Sequence, residues 1–167
     1  IEPAVKPAAQ NHRGEKVAVM ATPLTLHEEK FKQLVKRYEN LATIIPVPCP
    51  DLVEYVEKGI LEGPELEGYL KDVLTPCLQE GVKAVVLGCT HFPLVKAAIG
   101  KVVGEAVRIY DGGEGTARQA KCLLAAKNLC TDQEKGHICF ESSAPQKEAY
   151  YEALYRKAAH IDSRVKL

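Results

Sequence analysis

The sequence lacks both a long apolar run and a net charge, and each absence excludes a class of protein. No stretch approaches the roughly 20 apolar residues of a membrane-spanning helix, and no amino-terminal segment has the composition of a signal peptide. The 22 Lys and Arg residues balance 22 Asp and Glu residues. A neutral protein has no field with which to hold nucleic acid or an anionic membrane, so we expect neither partner and a cytoplasmic location.

Metal and dinucleotide motifs are absent as well. The cysteines form no C-x-x-C pair and no zinc-ligand spacing, so no metal site is predicted. The stretch DGGEGT (111–116) fails as a dinucleotide fingerprint because Arg118 occupies the third glycine position. Most cysteines lie at apolar positions of helix or strand patterns, and we interpret five as small core residues and only Cys89 as chemically active. The six are Cys49, Cys77, Cys89, Cys122, Cys130 and Cys139.

Two alternating patterns make up the first two thirds of the chain. Segments with apolar residues at the 3.6-residue period of an amphipathic helix, as in residues 26–39, separate runs rich in Val and Ile. Such alternation is typical of βαβ units, so we predict an α/β fold, with an open parallel sheet flanked by helices in three αβα layers. The predicted strands are 16–21, 41–47, 83–89 and 106–111.

The alternation ends after Asp111. A glycine turn leads into a helix, the stretch HICFES (137–142) predicts a single strand, and a last helix follows. Because a short apolar strand would present an unpaired edge, we expect two copies to associate through it as a homodimer. We divide the chain into a lead-in segment (1–15), an α/β domain (16–111) and a helix-strand-helix tail (112–167).

The stretch GCTHFP (88–93) carries the strongest candidate chemistry. Ligands of parallel sheets bind beyond the carboxyl ends of the strands, and Cys89 follows a predicted buried strand. A helix N-terminus and a neighbouring imidazole, here His91, both raise the thiolate fraction of a cysteine, which can then act as nucleophile or base. In the structural alternative, Cys89 is a buried strand end, His91 a core or capping group and Thr90 a helix N-cap.

A second candidate loop, ATPLTLHE, follows the first predicted strand. Thr25 and Glu28 have the spacing of a capping box for the 26–39 helix. Thr22 and Thr25 also present hydroxyl groups that suit a small carboxylate. Glu57 lies on an amphipathic turn near the end of the second predicted strand, where a solvated helix charge is the ordinary interpretation.

The motif LGCTHFPLV resembles the second cysteine motif of the glutamate racemases, and the resemblance covers most of the chain. IEPAVKPA is similar to the segment that leads into that family's second domain, and VAVMATPLTLHEEKF to its first strand and threonine turn. CPDLVEYVEKG is similar to its Cys-Pro…Val-Glu segment, and VRIYDGGEGTARQ to its return to the first domain. His91 is the discriminating residue, because the related aspartate racemases have a glutamate there.

The resemblance implies two similar α/β domains that face each other across a cleft and contribute one catalytic cysteine each. Cys89 would be one of the two acid–base thiols, His91 would tune it, and Glu57 would orient His91. The implied reaction interconverts L- and D-glutamate for peptidoglycan without a cofactor, one thiolate removing the α-proton while the opposite thiol returns one. The residues that would hold the α-carboxylate or ammonium group are Thr90, Thr22 and Thr25.

The chain departs from the family in one important respect. The family's N-terminal Asp-Ser-Gly motif and its first catalytic cysteine, in a Cys-Asn-Thr context, have no counterpart here, and the chain begins with Ile1 rather than Met. We therefore expect a fragment that carries half of a two-base site and is inactive by itself. Asp51 and Glu54 also stand where the family more often has apolar or proline residues, which is a minor departure.

Three alternative functions stay open. An aspartate-type racemase of the same superfamily is disfavoured by His91. A Cys-His thiol transferase or hydrolase would need a third orienting group and an oxyanion donor pair, which the sequence does not identify. A non-catalytic α/β ligand-binding module would need no reactive thiol, so the rate of Cys89 alkylation separates it from the catalytic hypotheses.

Overall fold

The structure, a computed structural model, describes residues 1–131 and 137–162 and divides into two compact units, 1–116 and 117–167. In the first unit four parallel strands form one sheet with the order β2-β1-β3-β4, which confirms the predicted α/β fold with an open parallel sheet. The strands are β1 (Lys16–Ala21), β2 (Thr43–Pro48), β3 (Ala84–Leu87) and β4 (Arg108–Tyr110).

Helices follow the strands in the alternating order that the sequence predicts. A 3₁₀ turn, Phe92–Val95, precedes α6, and a second one, Pro145–Lys147, precedes α8. None of the helices in the described part of the chain is long and apolar enough to cross a membrane. They are α1 (Glu2–Asn11), α2 (Pro23–His27), α3 (Glu29–Tyr38), α4 (Leu52–Glu57), α5 (Pro64–Gln79), α6 (Lys96–Val103), α7 (Gly113–Ala126) and α8 (Glu148–Asp162).

The sheet of the first unit is covered on both faces. Val17, Val19, Ala84 and Val86 form a buried cluster with side chains of α1 and α3. The alternate residues of β1 and β3 point to the opposite face and are buried as well. Strands that are buried on both faces have continuous apolar runs, so the sequence predicts β1 and β3 clearly.

Strand β2 lies at one side of the sheet and tolerates two prolines, Pro46 and Pro48. Proline has no N–H to donate to a neighbouring strand, so it occurs mainly on edge strands. Position 46 pairs with Val19 of β1 and position 48 with Ala21, so the prolines do not prevent the parallel register.

The helix predicted over 26–39 forms as two helices, and the predicted capping box is wrong. α2 begins at Pro23 with Thr22 as its N-cap, because proline suits the first helical position. Glu28 has extended dihedral angles (φ −66°, ψ 141°) and separates α2 from α3, so its side chain does not complete a box with Thr25.

The second unit differs from its prediction in two ways. The predicted strand 137–142 does not form, since the described residues of this unit contain no second strand with which it could pair. Cys122, Cys130 and Cys139 are exposed rather than core residues. No residue of α7 is buried, so its apolar pattern does not place Cys122 in a core.

Candidate active site

The candidate loops lie at the carboxyl ends of the two central strands. Met20 of β1 pairs with Leu87 of β3, so the residues that follow them, Thr22 on one strand and Cys89 on the other, leave the sheet side by side. On the far side of β1, the Cys49 N–H donates to the Ala21 carbonyl over 2.9 Å. The order across this end of the sheet is therefore Cys49, Thr22, Cys89.

Gly88 makes this arrangement possible. Its N–H donates to the Met20 carbonyl over 2.8 Å, and a Cβ built on Gly88 would lie 2.6 Å from that same oxygen. Any larger residue would push the chain away from β1, so the glycine permits the close approach from which Cys89 emerges. The sequence indicated only that a turn begins here.

Cys89, His91 and Glu57 form a continuous chain of contacts. The Cys89 Sγ lies 3.8 Å from His91 Nδ1, and His91 Nε2 lies 2.9 Å from the Glu57 Oε1. A carboxylate can only accept a hydrogen bond, so this contact favours the proton on Nε2, and in that tautomer of the neutral ring Nδ1 presents its lone pair to the thiol. The His91 and Glu57 side chains are 31% and 36% exposed, so solvent and a substrate can both reach them.

Glu57 reaches His91 because α4 packs against the 3₁₀ turn that follows His91. Leu52 and Val56 of α4 and Phe92 of the turn are fully buried in this contact region. Glu57 is the last residue of α4 and projects from the end of the packed helix. Its interpretation as an ordinary solvated helix charge is therefore wrong, although 34 positions separate it from its partner in the chain.

The threonines lie on the two neighbouring loops. Thr22 Oγ1 accepts a hydrogen bond from the Thr25 N–H over 3.4 Å and lies 3.0 Å from Thr25 Oγ1. Thr90 is exposed and is not a helix cap, since the N-cap position of the 3₁₀ turn belongs to His91. Leu24, 74% exposed, lies between Thr22 and Thr25 in the chain. Hydroxyl groups of both loops thus flank the end of the sheet from which Cys89 emerges.

A partly buried ion pair that the sequence did not reveal secures the segment after His91. Lys96, at the start of α6, donates to Asp111 Oδ2 over 3.0 Å, and the Gly113 N–H donates to Asp111 Oδ1 over 2.9 Å. Burial alone would raise the pKa of Asp111, but these two hydrogen bonds and the Lys96 charge outweigh it and lower that pKa. Lys96 and Asp111 are 15 positions apart, with the rest of α6 and all of β4 between them in the chain, so no local spacing predicts this pair.

In the part of the chain that the structure describes, no group of three or more His, Cys, Asp or Glu side chains is placed so that it could hold a metal ion. The six cysteines, all at described positions, are free thiols.

Comparison with known proteins places these features in context. The sequence model of a family described as Asp/Glu/hydantoin racemase matches residues 1–120. A glutamate racemase of Clostridium kluyveri is 47% identical over 135 residues, which cover 81% of this chain and 52% of the relative. The chain spans about half the length of the curated relatives it matches.

Solved structures agree with the sequence relatives. Escherichia coli glutamate racemase, in complex with L-glutamate and the activator UDP-MurNAc-Ala, matches with a TM-score of 0.73 and 30% identity, over 92% of this chain and 59% of that one. A Bacillus anthracis glutamate racemase matches in fold with a TM-score of 0.74 at 24% identity, over 93% of this chain and 59% of that one. The resemblance of this chain to the glutamate racemases is therefore confirmed.

Proposed function

The chain belongs to the Asp/Glu/hydantoin racemase family, and from this premise we propose that it supplies one half of the active site of a glutamate racemase. The observation that carries the proposal is the contact chain from the Cys89 thiol through His91 to Glu57 at the carboxyl end of a central strand. A structural cysteine would need neither an imidazole beside it nor a carboxylate behind that imidazole.

In this proposal Cys89 is an acid–base catalyst. His91 Nδ1 accepts the thiol proton, and the Glu57 carboxylate stabilises the imidazolium that results. The Cys89 thiolate then removes the α-proton of one glutamate enantiomer, while a thiol on the opposite face of the α-carbon delivers a proton. In the reverse direction Cys89 delivers the proton. The reaction moves only protons, so we propose that it needs no cofactor or metal.

We propose glutamate as the substrate and Thr22, Thr25 and Thr90 as its binding residues. Support comes from the curated relatives, which are named glutamate racemases, and from the E. coli relative, which holds L-glutamate. The three hydroxyl groups lie on the loop that contains Cys89 and on the neighbouring loop after β1, which supports a role in holding the α-carboxylate or ammonium group of the amino acid. An aspartate-type racemase is the second candidate, and His91 disfavours it.

The longer protein would contain a second domain that brings the other thiol. We propose that residues 1–15 and 112–167 connect to that domain, that the isolated chain is inactive, and that the whole enzyme supplies D-glutamate for peptidoglycan. The free thiols support a reducing, cytoplasmic location. A homodimer, formed through residues 137–142 of two copies, stays a proposal for the longer protein.

Circular dichroism of L-glutamate incubated with the full-length protein, with a chelator and without pyridoxal phosphate, tests the proposal. We expect inversion at roughly one turnover per second or faster, little turnover of aspartate, and none of either by the 167-residue chain. Equal or faster turnover of aspartate would instead support the second candidate. Loss of turnover with the chelator would contradict the metal-free mechanism.

A further inference from the structure

Helix α4, which ends at Glu57, begins without a side-chain cap of its own. The N-cap residue is Asp51, and its carboxylate makes no capping hydrogen bond. The Asp51 N–H instead donates to the hydroxyl oxygen of Tyr69, a residue of α5, over 3.3 Å. The first residues of a helix leave N–H groups without intrahelical partners, so a side chain from another helix provides the acceptor that α4 lacks.

The Tyr69 ring is held in place by its surroundings. It packs against the Tyr55 ring of α4, with ring centroids 5.2 Å apart. The Tyr69 side chain is half-buried, and burial raises the pKa of its hydroxyl to about 12, so the group stays uncharged at neutral pH. Tyr69 therefore touches α4 twice, through a ring contact and through one hydrogen bond at the start of the helix.

The other end of α4 faces the candidate active site. Six residues rise only about 9 Å along a helix axis, so a shift at Asp51 is transmitted to Glu57 as a movement of a short rigid body. Leu52 and Val56 are fully buried and fix which face of α4 packs inward. The position of α4 along its axis depends on its ends, and the Tyr69 hydroxyl holds one of them.

We propose that Tyr69 is a positioning residue for the Cys89–His91–Glu57 chain, anchoring the start of α4 so that the Glu57 carboxylate meets His91 Nε2. The inference rests on the proposed function, because it assigns Tyr69 a role only if the Glu57–His91 contact tunes Cys89. Tyr69 itself lies on a different helix from Glu57 and touches neither His91 nor Cys89 through any hydrogen bond in the described residues.

Alkylation of the whole 167-residue chain by iodoacetamide, resolved cysteine by cysteine with mass spectrometry across pH 6 to 9, tests the proposal. Tyr69→Phe keeps the ring and removes the hydroxyl. We expect it to slow Cys89 alkylation at pH 7 by about 3- to 10-fold and to move the Cys89 profile to higher pH. The exposed Cys122 is the internal reference, and its rate should not change.

Tyr55→Phe is the matched control. It removes the Tyr55 hydroxyl, which among the described residues makes no hydrogen bond to the start of α4, and it keeps both rings of the pair. We expect Cys89 of this variant to be alkylated within about twofold of the wild-type rate. Glu57→Gln calibrates the experiment, because it removes the carboxylate charge behind His91 and should slow Cys89 at least as much as Tyr69→Phe does.

Slower Cys89 alkylation in both Tyr69→Phe and Glu57→Gln, with Tyr55→Phe unaffected, supports the proposal. If Glu57→Gln slows Cys89 and Tyr69→Phe does not, Tyr69 has no positioning role and the proposed function survives. If neither changes Cys89, the tuned thiol of the proposed function is itself wrong. Alkylation of the buried Cys49 in Tyr69→Phe would also overturn the proposal, since the hydroxyl would then support the fold rather than α4.

Discussion

Two cysteines follow parallel strands at the same end of the sheet, and only one of them lies in a reactive setting. Cys49, after β2, has no exposed surface, and its thiol donates to the Val47 carbonyl over 3.4 Å. Burial raises the pKa of Cys49 to about 12. Cys89, after β3, is half-buried and lies 3.8 Å from His91 Nδ1. A strand end is therefore a place for chemistry only where it stays open and has a proton acceptor beside it.

What covers each strand end explains the difference. Helix α5 packs against β2, and Cys77 of α5 is among the groups near Cys49. Beyond β3 the chain turns at Gly88 into a 3₁₀ turn, which leaves Thr90 exposed and His91 partly exposed. Equal position in the sheet thus gives unequal chemistry, because α5 packs beside Cys49 whereas the turn after Gly88 leaves Cys89 partly open.

The largest expected effect separates the two cysteines by activity. In the full-length protein, Cys89→Ser should slow glutamate racemisation by about a thousandfold, because a hydroxyl is a far weaker acid than a thiol near neutral pH. Circular dichroism of either enantiomer measures the loss. Cys49→Ser makes the same substitution at the buried strand end and should leave racemisation within a few-fold of wild type. Comparable activity of the two variants would refute the assignment of Cys89.

Thiol reactivity should distinguish the two positions even without a substrate. Iodoacetamide at pH 7 should label Cys89 of the isolated chain about a hundredfold faster than Cys49, because burial keeps the Cys49 thiol protonated and inaccessible. His91→Asn removes the proton acceptor and should slow Cys89 by about tenfold without changing Cys49. Labelling of both cysteines at one rate would mean that the surroundings of the two strand ends are equivalent.

Opening of the β3 end also depends on Gly88. Gly88→Ala should lower the free energy of unfolding by about 1–3 kcal/mol, since its new methyl group would meet the Met20 carbonyl. Gly68→Ala is the control, because Gly68 is inside α5 with no atom within 4 Å of the built Cβ, and alanine should stabilise by about 0.5–1 kcal/mol. Denaturation with urea measures both changes. We expect the two substitutions to change the free energy of unfolding in opposite directions. A change in the same direction would contradict the close approach of Gly88 to Met20.

The smallest effect concerns the ion pair that secures the segment after His91. Asp111→Asn should cost about 1 kcal/mol of stability at pH 7, because the Lys96 ammonium loses its charged partner. The folded pKa of Asp111 lies below its unfolded value near 3.8, so this stabilisation is present above pH 4 and disappears as the pH falls through the lowered pKa. The unfolding temperatures of the wild type and of Asp111→Asn, measured from pH 7 to 2.5, should converge at the acid end. A constant difference would show that the charge is not responsible.

Local sequence patterns predicted most of the first unit. The run KVAVMA was expected as a strand over 16–21, and β1 spans Lys16–Ala21. Buried strands leave a strong signal because both of their faces are apolar. Two local predictions are wrong. Residues 137–142 have the composition of a strand but no neighbouring strand among the described residues. Thr25 and Glu28 have the spacing of a capping box, but the helix begins earlier, at Pro23.

For the candidate site, the sequence by itself determined that a thiol and an imidazole lie two residues apart where a buried strand ends. Spacing that short survives in any α/β fold, because the chain itself keeps Cys89 and His91 together. The resemblance implied that Glu57 orients His91, but no spacing in the sequence predicts that contact, and the tertiary structure brings the two side chains together. Only the tertiary structure decided that Tyr69 holds the start of α4 and that Cys49 is closed while Cys89 is open. These outcomes depend on the strand order, the register between β1 and β3 and the packing of α4, which bring together residues that no short spacing relates.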